Sequence, residues 1–350
     1  MRNRETLTTS YGSSSYTAFS GVTEQLSQWI EERGWSEPLV IWDAPEQVLP
    51  VKTVRSSLAH KALAGAACDV LIIIGDELTT DTVKQALVHL YERPQRIPFE
   101  VVVIPTTYSS TRSLTGRFLD SDDSYHFDSR LIPSLMVIDE KLLRNRPPLS
   151  AAIDVASLLT TIYDMFTRVA RDSFAWQLLL EAHSLYASHA VTAVNTRSAE
   201  DSRELMALCS HLVASAQNSY PPGLLDACVR AVTSVSDLHR EQSSVLVFPQ
   251  MVRNLNQALP EDTAAQTNEI VDQMLDVYEK VLTSHLQDIP KTLHAISRAP
   301  FNHTNLSLTD LARIAEKTYT SVETILTLPD IDLQSIIHWV ESIYWGYEVT

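Results

Sequence analysis

The sequence predicts an α/β N-terminal domain, built on a doubly wound and mostly parallel sheet, followed by an all-α C-terminal domain. Two observations predict this fold class. Short apolar runs alternate with helical spacing in the first part of the chain, and long amphipathic helices fill the rest. The alternation stops at Pro147 and Pro148. We therefore expect one domain over residues 1–148 and the other over residues 149–350.

Four apolar runs are predicted as strands of the sheet. Each is short, mainly aliphatic and followed by a turn residue, which is typical of parallel strands covered on both faces. The runs are Leu39–Trp42, Val70–Ile74, Val101–Ile104 and Leu135–Ile138. From Ser150 onward apolar residues recur at spacings of three and four, which predicts helices. These span about 150–170, 172–192, 199–218, 222–236, 241–256 and 263–286, with further helices to the end.

The composition restricts the classes of function. The 350 residues are 45% apolar and carry a formal net charge of −16. Binding to phosphate backbones needs clustered Lys and Arg, so this balance argues against nucleic acid and against an anionic membrane. Residues Met1–Ser10 lack an apolar signal region, and the three cysteines are scattered. We expect a cytoplasmic protein with a small-molecule substrate, and a homodimer is compatible with these features.

Several segments, taken in order, resemble a known family. Ile104–Tyr108 carries a Pro-Thr-Thr motif after a strand, and Leu131–Asp139 contains a second strand that ends in Asp. Pro148 with Ala152–Ala156, and later Leu328–Ile337, match further helix starts. Together they resemble the iron-containing alcohol dehydrogenases and maleylacetate reductases. The resemblance implies a dehydroquinate synthase-like fold, with a Rossmann-like first domain, and a redox activity that depends on a nicotinamide cofactor and a metal.

The phosphate-binding loop that the resemblance implies is degenerate. The family pattern is Gly-Gly-Gly-Ser followed by Asp and Lys, whereas this chain has Gly75–Leu78, with Asp76 and Glu77 in place of two glycines. The serine is replaced by Leu78, while the trailing Asp81 and Lys84 match. Two carboxylates would block and repel a pyrophosphate, so we expect no nicotinamide cofactor. A second interpretation is that Asp76 and Glu77 cap the helix that follows.

Three other residues remain where the family contacts its cofactor. Asp43 ends a predicted strand at the level of an adenosine ribose, and Thr106 and Thr107 belong to the Pro-Thr-Thr motif. We regard these as vestigial, and Asp43 as an ordinary turn residue at a strand end.

The metal site that the resemblance implies is also degenerate. The family holds its metal with one aspartate and three histidines, the first two of them four residues apart on one helix. Here that pair is Asp154 and Leu158, and the acid that follows in the family aligns with Thr161. Leucine cannot bind a metal, so we expect none.

The remaining two ligand positions depend on the alignment. Without a gap they carry Asp226 and Arg240, and with one gap Leu225 and His239. The gapless version would set Asp154 and Asp226 against Arg240 in an interdomain cleft, with a guanidinium replacing the metal. Such a group is either catalytic or an ion pair that holds the helices together.

A polar stretch after the third strand supplies the other candidate residues. Tyr108 and Arg112 are the strongest, because a phenol and a guanidinium can orient a carboxylate or enolate. The alternative is a solvated loop. The same stretch also contains Arg117, His126 and Arg130.

Three functions from different classes remain open. The first is a repurposed enzyme that performs cyclisation, isomerisation or dehydration on a biosynthetic intermediate in the interdomain cleft. The second is a divergent, metal-independent NAD(P)H-dependent reductase. The third is an inert scaffold or partner protein. Fold alone does not choose among them.

Overall fold

The structure is a computed structural model, and it describes most of the chain. The described residues are 15–19, 23–43, 53–65, 67–91, 97–120, 125–144, 146–196, 198–220, 223–236, 238–258, 261–286, 308–322 and 332–345. The chain divides into two compact units. The first contains Met1–Arg146 and Arg197–Ser219, and the second contains Pro147–Thr196 and Tyr220–Thr350.

The first unit is built on a parallel sheet, together with a short antiparallel hairpin. The strands are β1 (Ser15–Phe19), β2 (Pro38–Trp42), β3 (Thr53–Val54), β4 (Val70–Gly75), β5 (Glu100–Pro105), β6 (Arg117–Leu119), β7 (Tyr125–Phe127) and β8 (Leu135–Asp139). Six of them form the parallel sheet in the order β1-β8-β5-β4-β2-β3, and β6 pairs with β7 in the hairpin. The helices are α1 (Leu26–Arg33), α2 (Ala59–Ala64), α3 (Glu77–Leu90) and α4 (Glu140–Arg144), together with α7 (Glu200–Gln217) from later in the chain.

All four predicted strands are present, as β2, β4, β5 and β8. The β4 strand is buried along its whole length, as expected for a central parallel strand. Its residues Ile72 and Ile74 pack with Val102 of β5 and Val137 of β8 in one apolar core. The sequence did not predict β1, β3 or the β6–β7 hairpin. These strands are short, and β1 (SYTAF) and the hairpin lack the aliphatic run of a central strand.

The domain division differs from the prediction in one respect: α7 belongs with the sheet rather than with the later helices. Arg203 Nε of α7 lies 2.5 Å from Glu140 Oε1 of α4, and both side chains are buried. Ser210 Oγ donates to the backbone carbonyl of Tyr108. These long-range contacts, at sequence separations of 63 and 102, are invisible to a reading of local periodicity.

The second unit is helical throughout its described residues, as predicted. Its helices are α5 (Pro148–Phe166), α6 (Phe174–Asn195), α8 (Leu224–Val235), α9 (Arg240–Ala258), α10 (Glu261–Leu286), α11 (Leu308–Val322) and α12 (Leu333–Trp345). Helix α5 packs against α6, α8, α9 and α10. It is long and apolar enough to cross a membrane by composition, but 72% of that window is buried, which is the environment of a core helix. The resembling segment at Leu328–Asp330 lies outside the described residues.

Candidate functional site

The turn between β4 and α3 is filled by its own side chains. Asp76 is the N-cap of α3, and its Oδ1 accepts a hydrogen bond from the Thr79 backbone N–H at 2.9 Å. A Cβ on Gly75 would lie 2.6 Å from the Thr79 side chain. Leu78 points outward and is 75% exposed. The interpretation of Asp76 as a helix cap is therefore confirmed.

Asp43 at the end of β2 is also engaged within this unit. Its Oδ1 accepts from the Ser56 N–H at 2.9 Å, and its Oδ2 lies 3.3 Å from Thr79 Oγ1. Asp43 thus fastens the end of β2 to the start of α3. Thr106 donates its backbone N–H to the Gly75 carbonyl at 3.0 Å, and Thr107 and Ser110 share a hydrogen bond between their hydroxyls.

Three charged residues of α3 share one helical face. Glu77, Asp81 and Lys84 are spaced by four and three residues, which places them side by side. The guanidinium of Arg112 meets this face: its Nη2 lies 3.1 Å from Glu77 Oε2 and 2.7 Å from Asp81 Oδ2. Lys84 Nζ donates to the backbone carbonyls of Arg112, Thr115 and Arg117 at 2.7 to 3.0 Å. We call Glu77, Asp81, Lys84 and Arg112 the α3 charge cluster.

Every member of the α3 charge cluster is buried, with an exposed fraction of at most 7%. Burial lowers the pKa of Lys84 to about 7, against the opposing effect of Asp81. Burial also acts to lower the pKa of Arg112, but the carboxylates of Asp81 and Glu77 outweigh it and raise the pKa well above its ordinary value. The guanidinium therefore stays charged and neutralises both Glu77, which the altered loop placed at the start of α3, and Asp81, one turn further along the helix.

Two predictions for the stretch after β5 need correction. The alternative of a solvated loop is wrong, because Thr107–Thr115 is buried and Arg112–Leu114 forms a 3-10 turn. Arg112, expected to orient a substrate, is instead held by the acids of α3. The Tyr108 side chain is also buried, at 2% exposure. The partners of Arg112 lie more than thirty residues earlier in the chain, so the local sequence could not reveal them.

The other basic candidates in this stretch also bind neighbours in the first unit. Arg117 Nε donates to the Gln217 carbonyl at 3.0 Å. His126 Nε2 lies 2.6 Å from Asp120 Oδ2. Arg130 pairs with Asp128 and donates to the Tyr91 carbonyl at 2.8 Å.

In the second unit the structure joins two of the predicted residues. Asp226 Oδ1 lies 2.5 Å from Arg240 Nη2, and its Oδ2 lies 3.1 Å from Arg230 Nε. His239, the rival of Arg240 in the alignment, is exposed, and its backbone N–H donates to the Gln242 side chain at 3.0 Å. Asp154 lies buried on α5. The carboxylate of Asp226 is thus matched with guanidinium groups.

Sequence reasoning missed one buried acid near this pair. Asp164 of α5 accepts backbone hydrogen bonds from Gly223 at 2.6 Å and Leu225 at 2.9 Å, and so caps α8. Burial, reinforced by the charge of Asp226, raises the pKa of Asp164 to about 6. A carboxylate within the apolar run Tyr163–Phe166 was the available signal, because such a group is rarely buried without a partner.

The donor chemistry does not fit the metal site that the resemblance implies. Leu158, on α5 with Asp154, is fully buried and offers no lone pair. Arg240 stays protonated and cannot bind a metal ion. Within the described ranges, no group of three or more His, Cys, Asp or Glu side chains is placed to hold a metal.

The start of α3 does not fit a pyrophosphate either. A helix N-terminus binds an anion through its free N–H groups. Here the Asp76 carboxylate already accepts from one of these groups.

Comparisons with known proteins find likeness in structure only. No protein-family model matches the chain, and no curated protein matches it. The maleylacetate reductase of Agrobacterium tumefaciens is 14% identical and superposes with a TM-score of 0.73, covering 99% of this chain and 100% of that one. The maleylacetate reductase of Rhizobium sp. strain MTP-10005 is 15% identical and superposes with a TM-score of 0.74, covering 99% of this chain and 100% of that one. An iron-containing alcohol dehydrogenase of Corynebacterium glutamicum is 16% identical and superposes with a TM-score of 0.74, covering 98% of this chain and 99% of that one.

The chain has the fold of the maleylacetate reductases and iron-containing alcohol dehydrogenases. The match extends over almost the whole of both chains, so the predicted resemblance and fold class are confirmed. At this identity the likeness concerns the fold.

Proposed function

We propose that this protein is a dehydrogenase-fold enzyme that performs a non-redox reaction on a small molecule, without a nicotinamide cofactor and without a metal. The observation that carries the proposal is the Asp76 carboxylate on the Thr79 N–H at the start of α3. It supports the proposal because the helix already holds its own anion where a pyrophosphate would have to bind.

The neighbouring charges strengthen the argument. A dinucleotide would have to displace Asp76 and approach Glu77, the first residue of the same helix, whose carboxylate is paired with Arg112. The repulsion between a phosphate and the Asp76 carboxylate costs on the order of 1 kcal/mol or more at partly screened distances. Moving Glu77 away would also break its pair with Arg112 and leave a buried charge uncompensated.

The pair of Asp226 and Arg240 supports chemistry without a metal. The guanidinium supplies a fixed positive charge next to a carboxylate, and about a quarter of the Arg240 side chain is exposed (24%). Arg240 suits an anionic oxygen such as a carboxylate or enolate, and Asp226 holds its guanidinium in place. Cyclisation, isomerisation and dehydration need these groups and no hydride source.

The second candidate is a metal-independent reductase. The observation that favours it is the match with maleylacetate reductases over almost the whole chain. This hypothesis requires NAD(P)H to bind through residues other than those at the start of α3.

Incubation of the purified protein with a metabolite extract distinguishes the non-redox enzyme from the metal-independent reductase. The reaction contains EDTA and no nicotinamide, and mass spectrometry follows the products. We expect a product with the mass of its precursor, or with the loss of one water. Arg240→Ala should abolish it, and the surface change Lys280→Ala should not.

Two results would overturn the proposal. A product that gains two hydrogens, and only after NAD(P)H is added, would support the reductase. Complete lack of conversion with and without nicotinamide would support the inert scaffold.

A further inference from the structure

The first turn of α8 is capped by a residue of another helix. Its N-cap residue is Gly223, which has no side chain to accept a hydrogen bond from the N–H groups of the turn. Asp164 of α5 supplies the acceptor: its Oδ2 binds the Gly223 N–H at 2.6 Å, and its Oδ1 binds the Leu225 N–H at 2.9 Å. Both oxygens of one carboxylate therefore hold the start of a helix that lies 59 to 61 residues later in the chain.

The contact between Asp164 and Gly223 leaves no space for adjustment. A Cβ at position 223 would lie 2.6 Å from Asp164 Oδ1 and 2.6 Å from Cδ of Arg168. Asp164 is itself buried, at 2% exposure. Because the carboxylate packs directly against the backbone, a shift of the α8 start relative to α5 would break the two hydrogen bonds.

The capped turn also carries Asp226, which holds Arg240. Asp226 follows Leu225 directly in the first turn of α8, and its carboxylate binds Arg240 of α9 as well as Arg230 of α8. The position of the Asp226 carboxylate therefore depends on the turn that Asp164 holds. A displacement of about 1 Å in the groups that position a substrate can lower a rate about a hundredfold.

We propose that Asp164 is a positioning residue for the reaction proposed above: its ionised carboxylate fixes the first turn of α8 and so sets Asp226 against Arg240. This role in catalysis rests on the proposed function. The link from Asp164 to Arg240, in contrast, is a property of the folded protein and can be measured without a substrate.

The charge on Asp164 changes in an accessible pH range. Burial, reinforced by the charge of Asp226, raises the pKa of Asp164 to about 6, while Arg168 and the two bound N–H groups act in the opposite direction. Below that pH a carboxylic acid replaces the carboxylate, and it accepts hydrogen bonds from the two N–H groups less strongly. The cap should therefore be complete above pH 6 and weakened below it.

Other ionisable groups that face α5 have to be distinguished from Asp164. The hydroxyls of Tyr163 in α5 and Tyr278 in α10 both donate to backbone carbonyls of α9, and burial raises the pKa of both phenols. His183 of α6 lies against the ring of Phe166, with ring centroids 6.2 Å apart, and burial lowers its pKa. The guanidinium groups beside Asp164 and Asp226 stay protonated throughout. His183 is thus the group whose titration has to be separated from that of Asp164.

An NMR titration of the full-length protein from about pH 8 to about pH 5 tests the link. It follows the backbone N–H signals of Gly223 and Leu225 together with the side-chain N–H signals of Arg230 and Arg240. We expect all four to shift with one midpoint near pH 6, because the arginine signals report the position of the Asp226 carboxylate.

Controls assign this step to Asp164. Asp164→Asn removes the titrating group with little change in shape and should abolish the step in all four signals. Asp76→Asn makes the same change at the cap of α3, and it should leave the step in place, as should His183→Gln. The Trp176 N–H, which binds the Ser173 hydroxyl at the start of α6, should not shift with this midpoint.

Arginine signals that do not follow the midpoint of Gly223 and Leu225 would overturn the proposal, as would a step that persists in Asp164→Asn or disappears in His183→Gln. The titration of the wild-type protein decides the first point even if Asp164→Asn does not fold. In the conversion assay, a folded Asp164→Asn protein should form product about a hundredfold more slowly, and an unchanged rate would also overturn the proposal. If the four signals share their midpoint but the wild-type protein converts nothing, the link from Asp164 to Arg240 stands and the proposed reaction fails.

Discussion

The guanidinium of Arg112 binds the carboxylate of Asp81 through two nitrogens, with Nε at 3.0 Å and Nη2 at 2.7 Å from Oδ2. Both side chains are buried. This pair connects the stretch after β5 to the same helix that begins at the altered phosphate loop. The polar groups of α3 therefore have partners within the first unit. Asp76 caps the start of the helix, and Arg112 neutralises Glu77 and Asp81 along its face.

Removal of the guanidinium should destabilise the protein strongly. Arg112→Met leaves Glu77 and Asp81 buried without their main cation, and we expect a loss of about 3–5 kcal/mol in the free energy of unfolding. Lys280→Ala, which breaks an exposed pair with Asp276, should change it by less than about 1 kcal/mol. Urea denaturation measures both values. Equal effects of the two changes would show that the α3 charge cluster does not hold this unit together.

Gly75 and Gly65, two of the glycines in the first unit, should respond differently to alanine. A Cβ at Gly75 meets the Thr79 side chain at 2.6 Å, whereas one at Gly65 meets nothing within 4 Å. Gly75→Ala should therefore lower stability by about 1–3 kcal/mol through overpacking. Gly65→Ala should be neutral or slightly stabilising. Thermal unfolding of both variants is the check, and a Gly75→Ala protein as stable as wild type would mean that the turn is not filled as described.

Acid should destabilise the first unit through His211. Burial lowers the pKa of this histidine to about 4, so the folded state holds it neutral while the unfolded state takes up a proton near pH 6.5. The stability it contributes is present above pH 6.5 and is lost as the pH falls from there toward 4. His211→Gln should flatten this part of the curve of unfolding free energy against pH. A variant with the same slope as wild type between pH 6.5 and 4 would contradict the prediction.

The purified protein should contain less than one equivalent of zinc, iron or nickel per chain. The reason is that Leu158 stands where the resemblance requires a histidine ligand. Elemental analysis after dialysis measures the content. One tightly held metal per chain, lost in Asp154→Ala, would show that Asp154 binds a metal together with other residues of the chain.

The sequence predicted most of the architecture because the architecture depends on local patterns. Aliphatic runs such as Val70–Ile74 and Leu135–Ile138 are bounded by turn residues and can be buried only in a sheet with both faces covered. The position of α7 could not be predicted, since it depends on pairs such as Arg203 with Glu140. Nothing in the helical periodicity of α7 says which unit it covers.

The site was predictable in its substitutions but not in its contacts. Asp76 and Glu77 stand out in the sequence because they replace glycines at a helix start. That Glu77 turns inward to Arg112 follows from the path of the chain after β5, which no local spacing encodes. The same holds for Asp164, whose role became visible only when Gly223 and Leu225 were brought to it.

Isothermal titration calorimetry with NAD⁺, NADH, NADP⁺ and NADPH tests the central claim most directly. Because Asp76 caps α3, the protein should bind none of the four with a dissociation constant below the millimolar range. A loss of about 4 kcal/mol in binding free energy raises a micromolar dissociation constant to the millimolar range. The double change of Asp76→Gly and Glu77→Gly should restore measurable affinity if the two acids alone exclude the cofactor. Binding of any of the four nucleotides to the wild-type protein at micromolar concentration would contradict the account and establish the nicotinamide-dependent reading in its place.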